Sequence, residues 1–282
     1  MSTELRKTER KPTPRLLVPV EYIGGAFLGI LDHAGSTLLL ARAAVGSCTR
    51  AAFSPNVRMG KAAIVTQIVR VGVSSILIVS LVSGAVGLIL ALQLAPPLDD
   101  FGQRDKVANV IGVAVLRELG PLIGAIVLTG FAGASIAAEL GTMVVSEEIE
   151  ALEAHALDPV RFLVVPRVVA ATISMSALGV ISSTAAIGSA LLVSMVVLDI
   201  PYDTYMDNTL SQAKFVDFGT GVIKSAIFGM LIGAIACENG LRVRGGAAGV
   251  GRATTYTVVE CIVAIVIADL IFTAIFFALD LN

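Results

Sequence analysis

Residues 71–98 form an uninterrupted run without a charged side chain. An α-helix rises about 1.5 Å per residue, so this run is long enough to cross the roughly 30 Å hydrocarbon layer of a bilayer. Pro96 and Pro97, followed by two aspartates, close the run. The chain is 56% hydrophobic and only 15% charged, which leaves too little polar surface for a soluble enzyme. The run therefore predicts a transmembrane helix in an integral membrane protein.

Four more apolar runs follow the first one, at residues 107–138, 168–198, 218–237 and 254–279. The run at 168–198 is longer than the hydrocarbon layer requires, but two crossings would need about forty residues. We therefore predict one long, tilted or protruding helix there. The whole pattern predicts an all-α membrane protein with five transmembrane helices.

The first 62 residues differ in character from the rest. Residues 1–20 are basic and broken by prolines, and no compact apolar stretch with a cleavage site follows, so we expect a cytoplasmic tail rather than a cleaved signal peptide. In residues 21–62, apolar residues recur every three to four positions with Asp32 and Arg42 between them. This period favours an amphipathic helix in the plane of the interface, with a first true span as the alternative. Residues 63–282 would form the membrane domain.

The basic residues indicate how the chain crosses. Residues 1–70 hold half of the 20 lysines and arginines. The loops after the second and fourth runs add Arg161, Arg167, Arg242, Arg244 and Arg252. The loops after the first and third runs hold only Arg104, Lys106 and Lys214. Because cytoplasmic loops are enriched in basic residues, we expect the amino terminus inside the cell and the carboxyl terminus outside.

The residues that an enzyme or a metal site would need are missing from the sequence. The two histidines and three cysteines stand in no metal-binding spacing, and no serine stands in a nucleophile motif. The glycine-rich residues 245–251 lack the lysine of a phosphate loop and have no preceding strand. We expect no cofactor on this chain. If ATP drives the protein, we expect the ATPase to be another polypeptide. The net charge of −2 points to no nucleic-acid partner.

A short acidic segment lies between the second and third runs. Ser146 is the expected N-cap of a helix whose first turn holds Glu147 and Glu148. Its apolar side chains form one stripe: Ile149, Leu152 and Ala156. Such a helix suits docking into a groove of a cytoplasmic partner. The alternative is a solvated helix on the membrane, which the four glutamates disfavour because anionic lipids attract basic residues.

Ionisable residues inside the apolar runs require an explanation, since they are costly in a membrane unless they pair or face a polar cavity. They are Arg117, Glu118, Lys224, Glu260 and Asp269. They are functional candidates, and pairing between helices that only fixes packing is the alternative. Both hold if the pairs line a cavity that receives a charged headgroup.

Several segments together resemble the MlaE/YrbE family, the membrane permeases of Mce-associated lipid ABC transporters. Residues 116–121 read LRELGP, as in the second-span motif of that family. Residues 130–141 resemble its GRAGSA…AExG stretch, except that Phe131 stands where many members carry arginine. Residues 147–167 resemble its EEI-AL…DP…PR stretch, and residues 245–255 its last cytoplasmic loop, with Tyr256 where a basic residue is common.

The resemblance implies a multi-pass permease of the bacterial cytoplasmic (inner) membrane, with residues 63–282 as the MlaE-like domain, an N-terminal interfacial helix and a short cytoplasmic coupling helix. It implies a dimer with a second permease protomer, ATPase subunits that use ATP and Mg, a periplasmic Mce-domain ring and a lipid substrate. The family's cavity residues map to Arg117, Glu118, Lys224 and Arg252. ATPase coupling maps to Glu147, Glu148, Ile149 and Leu152.

The leading hypothesis is thus a permease subunit that moves lipids, with phospholipids as the expected substrate. Because this chain has no nucleotide-binding motif, we expect ATP hydrolysis to reside in a partner subunit. A membrane scaffold that anchors partners and moves nothing is the alternative from another class. An integral membrane enzyme is a third hypothesis, which the missing catalytic residues disfavour.

Overall fold

The structure, a computed structural model, describes residues 61–279 and, before them, residues 28–29, 31–32, 35–43 and 46. In this part of the chain every regular element is a helix, and five helical segments are long and apolar enough to span a membrane. These spans are Ala62–Asp100, Arg104–Val145, Val160–Val196, Phe215–Leu241 and Gly246–Ala278. The predicted fold class and the predicted number of spans are confirmed.

The first three spans are composite. The first joins helices Lys61–Val71 and Ile76–Asp100 through a 3-10 turn, Val73–Ser75. The second joins Val107–Ala114, Gly120–Leu128 and Ala134–Val145 through two π turns, Val115–Leu119 and Thr129–Gly133. The third begins with the π turn Val160–Val164 and continues as one helix, Val165–Val196. The single long helix predicted at 168–198 is therefore confirmed.

Two short helices mark the two ends of the bundle. Glu148–Ala154, the acidic helix, connects the second and third spans at the end that also holds the loop between the fourth and fifth spans. Tyr202–Gln212 connects the third and fourth spans at the opposite end. Among the residues before 61 that are described, Asp32 and Ser36 contact Arg242 at the acidic-helix end. The tail at 1–20 and most of the region at 21–62 lie outside the described residues.

The third span is the centre of the bundle, because it packs extensively against both the first and the fourth. Small residues allow this close packing. A Cβ atom on Gly87 of the first span would overlap the carbonyl oxygen of Ala186 on the third span. One large apolar core joins all five spans, and a smaller one lies below the helix Tyr202–Gln212. The fifth span is the least enclosed, with only Gly249, Thr257, Cys261 and Ile265 buried.

The spans extend further than the charge-free runs predicted. The helices continue through Arg70, Glu139 and Arg167, at which the predicted spans stopped. These three side chains form ion pairs with one another, which offsets the cost of placing charge near the hydrocarbon. With 39, 42 and 37 residues, the first three spans measure roughly 55–63 Å, more than the roughly 40–45 Å of a complete bilayer.

Candidate functional site

A buried lysine joins three spans through its side chain. Lys224 Nζ of the fourth span donates hydrogen bonds to Glu118 Oε2 of the second span and, at 2.9 Å, to Asp269 Oδ1 of the fifth. The side chain of Lys224 is 1% exposed, whereas that of Glu118 is 33% exposed. Glu118, Lys224 and Asp269 are called the lysine cluster below. One cation faces two carboxylates, so the cluster presents a partly accessible carboxylate within the spans.

A hydroxyl group completes the lysine cluster. Thr273 lies one helical turn after Asp269 on the fifth span. Its Oγ1 donates to Glu118 Oε1 at 3.1 Å and lies 3.2 Å from Lys224 Nζ. The ring of Phe276 lies 5.8 Å from the same ammonium group. The ammonium group of Lys224 thus has three hydrogen-bond acceptors on the second and fifth spans, one for each of its N–H groups. These contacts fix the position of the charge.

A π turn sets the position of Glu118. Arg117 and Glu118 lie within Val115–Leu119, whose wider turn holds one residue more than an α-helical turn would. The fourth span approaches this turn closely, since a Cβ atom on Gly221 would overlap the carbonyl oxygen of Leu116. π turns occur frequently at functional sites because they redirect side chains. Here the turn and the glycine together bring Glu118 to Lys224.

Arg117 makes a different ion pair from its neighbour. Its Nε lies 3.5 Å from Asp217 Oδ1, near the start of the fourth span. Asp217 is buried, and its Oδ2 also accepts a hydrogen bond from the backbone N–H of Lys214 at 2.9 Å. A carboxylate at this position is stabilised by the positive end of the helix dipole. Arg117 and Glu118 are adjacent in sequence but contact different residues of the fourth span.

Arg252 does not join these residues. It is exposed in the first two turns of the fifth span, and its Nη2 lies 3.3 Å from the place that a Cβ atom on Gly245 would occupy. Asp269 follows seventeen positions later on the same helix, about 25 Å along its axis. The structure therefore brings Arg117, Glu118 and Lys224 to one region and places Arg252 at the acidic-helix end.

The acidic helix has a polar outer face and an apolar inner face. Glu147, Glu148, Glu150 and Glu153 are exposed. Ile149 and Leu152 are partly buried and pack against the core that joins the spans. The predicted stripe is shorter than expected, because the helix ends at Ala154 and Ala156 is exposed with a φ of 58°. In this chain the apolar residues attach the helix to its own bundle, and the carboxylates face outward.

The expected N-cap of the acidic helix was wrong. Ser146 ends the preceding helix instead, and its hydroxyl donates to the carbonyl oxygen of Thr142 at 3.0 Å. Glu147 occupies the N-cap position in the left-handed conformation, with a φ of 60°. At the other end of the segment, Asp158 Oδ1 accepts a hydrogen bond from the N–H of Val160 at 3.0 Å. This contact satisfies the N–H of Val160 at the start of the third span.

Sequence patterns alone did not identify Asp217 and Thr273 as members of these arrangements. Asp217 lies just outside the apolar run that begins at residue 218, so it was not counted among the charges within spans. Thr273 lies within a run but is uncharged, so the search for ionisable residues did not include it. The spacing of Asp269 and Thr273, four positions apart and so on one helix face, was the available signal. In the described part of the chain, no group of three or more histidine, cysteine, aspartate or glutamate residues could hold a metal ion.

Comparison with known proteins assigns the chain to a protein family. The family described as Permease MlaE matches residues 64–275. The chain belongs to the MlaE permease family. This MlaE permease is 36% identical to a probable ABC transporter permease protein of Rickettsia prowazekii over 214 residues, which cover 76% of the chain and 83% of that protein.

Two further relatives come from plastids and cyanobacteria. The chloroplastic protein TRIGALACTOSYLDIACYLGLYCEROL 1 of Arabidopsis thaliana is 36% identical over 211 residues, which cover 75% of this chain and 60% of that protein. A probable ABC transporter permease protein of Synechocystis is 33% identical over 203 residues, which cover 72% of this chain and 77% of that protein. The MlaE permease is thus a multi-pass transporter permease, and ATP hydrolysis belongs to a separate ATPase subunit.

Proposed function

We propose that this permease moves lipids, most simply phospholipids, between the cytoplasmic membrane of a bacterium and a periplasmic Mce-protein ring. The observation that carries the proposal is the lysine cluster. Charged groups within membrane spans are costly unless they serve a polar cavity or a pathway, and the Glu118 side chain remains 33% exposed here. An exposed carboxylate beside a fixed ammonium group suits the polar headgroup of a lipid.

An apolar cavity near these charges suits the other part of a lipid. It has a volume of about 260 Å³, and its wall includes Leu116 and Phe218, the sequence neighbours of Arg117 and Asp217. The hydroxyl groups of Ser183 and Thr184 in that wall donate to carbonyl oxygens of their own helix. The wall is therefore apolar towards a ligand. Charges and an apolar cavity side by side match an amphipathic molecule, and one of the relatives carries the lipid trigalactosyldiacylglycerol in its name.

The energy for transport would enter through the acidic helix. Its outward carboxylates Glu147 and Glu148 would bind basic residues of a cytoplasmic ATPase that uses ATP and Mg. Ile149 and Leu152 pack against the core shared by the spans. A displacement of the helix would thus move the second and third spans, to which it is directly connected.

A second permease protomer would cover the fifth span. Its large side chains Val259, Val263, Val266 and Leu270 are exposed in the single chain. The helix also carries Asp269 of the lysine cluster. If two fifth spans face each other, the two clusters border one central cavity. The amino terminus would lie in the cytoplasm and the carboxyl terminus in the periplasm, beside the Mce ring.

The test is ATP-dependent movement of a fluorescent phospholipid in proteoliposomes that contain the permease, its ATPase and the Mce protein. The Glu118→Gln variant should reduce the rate while the complex remains assembled, because it removes the exposed charge. Asp203→Asn, an exposed change on the helix Tyr202–Gln212, is the matched control and should transport normally. An assembled complex that hydrolyses ATP but moves no lipid would instead favour a scaffold that only anchors its partners.

A further inference from the structure

A second ion cluster lies at the acidic-helix end of the bundle. Glu139 of the second span accepts from Arg70 Nη1 of the first span at 2.7 Å and lies 3.3 Å from Arg167 Nη2 of the third. The side chain of Arg167 is 6% exposed, whereas that of Arg70 is 52% exposed. Arg70, Glu139 and Arg167 are called the arginine cluster below. Two guanidinium groups share one carboxylate, so these three residues carry one net positive charge.

The arginine cluster lies at the level of lipid headgroups. Glu118 and Glu139 are 21 positions apart on the second span, with no charged residue between them. At 1.5 Å per residue this is about 30 Å, the thickness of the hydrocarbon layer. The lysine cluster and the arginine cluster therefore fit the two edges of that layer. In the proposed orientation the arginine cluster lies at the edge that faces the cytoplasm, where lipid phosphates are found.

A cavity opens beside the arginine cluster. Its volume is about 110 Å³, enough for several water molecules or one phosphate group. The first and second spans form its walls, and its polar residues are Gln67, Arg70, Ser74, Ser135 and Glu139. The buried Oε1 atom of Gln67 has no hydrogen-bond partner among the described residues. Since an amide group can be turned to present its NH2 instead, the cavity offers guanidinium, amide and hydroxyl donors.

We propose that this cavity binds the phosphodiester of an anionic phospholipid from the cytoplasmic leaflet. The phosphate would accept hydrogen bonds from Arg70, which is half exposed and free to turn from Glu139 towards the cavity. Arg167 is buried and would keep Glu139 in place. A singly charged phosphodiester would balance the net charge of the arginine cluster, and charge-assisted hydrogen bonds to guanidinium are among the strong ones.

Phe131 lines the same cavity from the second span, whereas Arg70 lines it from the first. A cation placed at residue 131 would therefore face the same space as Arg70. The proposal goes beyond lipid transport, because binding at this cavity needs neither ATP nor a partner protein.

The experiment measures the affinity of the purified full-length chain in detergent for dioctanoyl phosphatidylglycerol, from the rise of its Tm with lipid concentration. Arg70→Gln should weaken binding about tenfold, as expected for the loss of one charge-assisted hydrogen bond. Arg161→Gln, which removes an exposed cation at the same end, should bind as the parent does. Dioctanoyl phosphatidylcholine, with no net charge, should bind more weakly than phosphatidylglycerol.

Two further variants separate binding from mere packing. Phe131→Arg in the Arg70→Gln background should restore affinity, because it returns a cation to the same cavity from the opposite wall. Glu139→Gln should tighten binding, because it releases Arg70 from its carboxylate. A folded Arg70→Gln variant with parental affinity, or a folded double variant without rescue, would overturn the proposal. Inorganic phosphate or glycerophosphoglycerol that raises Tm as strongly as the lipid would overturn the assignment to a membrane lipid.

Discussion

Lys224 and Asp269 join the fourth span to the fifth by an ion pair of 2.9 Å. The fifth span has few buried residues of its own, and this ion pair is one of the contacts that join it to the bundle. The same lysine also bonds to Glu118 of the second span. One ammonium group therefore determines how three spans meet at the candidate substrate site.

Replacing this lysine should destabilise the protein strongly. Lys224→Met leaves Glu118 and Asp269 facing each other without a cation, and removal of one partner from a buried ion pair costs about 3–5 kcal/mol. We expect a large fall in Tm in detergent. Adding Glu118→Gln and Asp269→Asn to the same variant should recover most of the loss, because the remaining groups are then neutral. A single variant as stable as the parent would contradict the ion-pair account.

The contact between the first and third spans should tolerate no added methyl group. Gly87→Ala would bring a Cβ atom into the carbonyl oxygen of Ala186, and overpacking of this kind costs about 1–3 kcal/mol. Gly188→Ala on the third span is the matched control, because no atom lies within 4 Å of its Cβ position. Thermal unfolding should show a lower Tm for Gly87→Ala only. Equal Tm values would mean that the two spans separate easily.

Charge reversal on the acidic helix should abolish ATPase binding. The double variant Glu147→Lys and Glu148→Lys places two cations on the exposed face, and like charges across an interface are repulsive. We expect the ATPase subunit to be lost when the permease is purified by affinity, with the permease itself still folded. The pair Asp203→Lys and Asp207→Lys, at exposed positions of the helix Tyr202–Gln212 at the opposite end, should retain the ATPase. Retention by both variants would exclude the docking role.

Tyr205 should make stability depend on alkaline pH. Burial raises the pKa of Tyr205 to about 12, above its ordinary value of about 10. The folded state thus favours the neutral phenol, so the stabilisation is present below about pH 10 and is lost as pH rises to about 12. Between these values, Tm should fall more steeply for the parent than for Tyr205→Phe. Parallel curves for the two proteins would show that the phenol is not protected by burial.

The five spans were predictable because each needs only a local property, a long run of apolar residues. Their ends were not, because they depend on contacts between distant segments. Arg70, Glu139 and Arg167 each interrupt an apolar run when the sequence is considered alone. In the folded chain they pair with one another across three spans, so the helices continue through them.

The candidate site was predictable to the extent that charge within an apolar run is conspicuous. That property singled out five residues but could not say which of them pair: Arg117, Glu118, Lys224, Glu260 and Asp269. Lys224 bonds to Glu118, whereas the adjacent Arg117 pairs with Asp217. Consecutive side chains on a helix point about 100° apart, and the partner that each one meets depends on how the fourth and fifth spans pack against the second. The N-cap at Ser146 failed for a related reason, since the preceding helix continues up to that residue.

The π turn Thr129–Gly133 holds one residue more than an α-helical turn, so its five residues cover nearly the same rotation as four residues of an α-helix. Removing one residue from Thr129–Gly133 would restore a regular helix and leave Glu139 close to its present orientation. With the π turn retained, removing one residue from Gly120–Leu128 would instead turn Glu139 by about 100° around the axis, away from Arg70 and Arg167. A single deletion should therefore be better tolerated in the π turn than in the helix that precedes it.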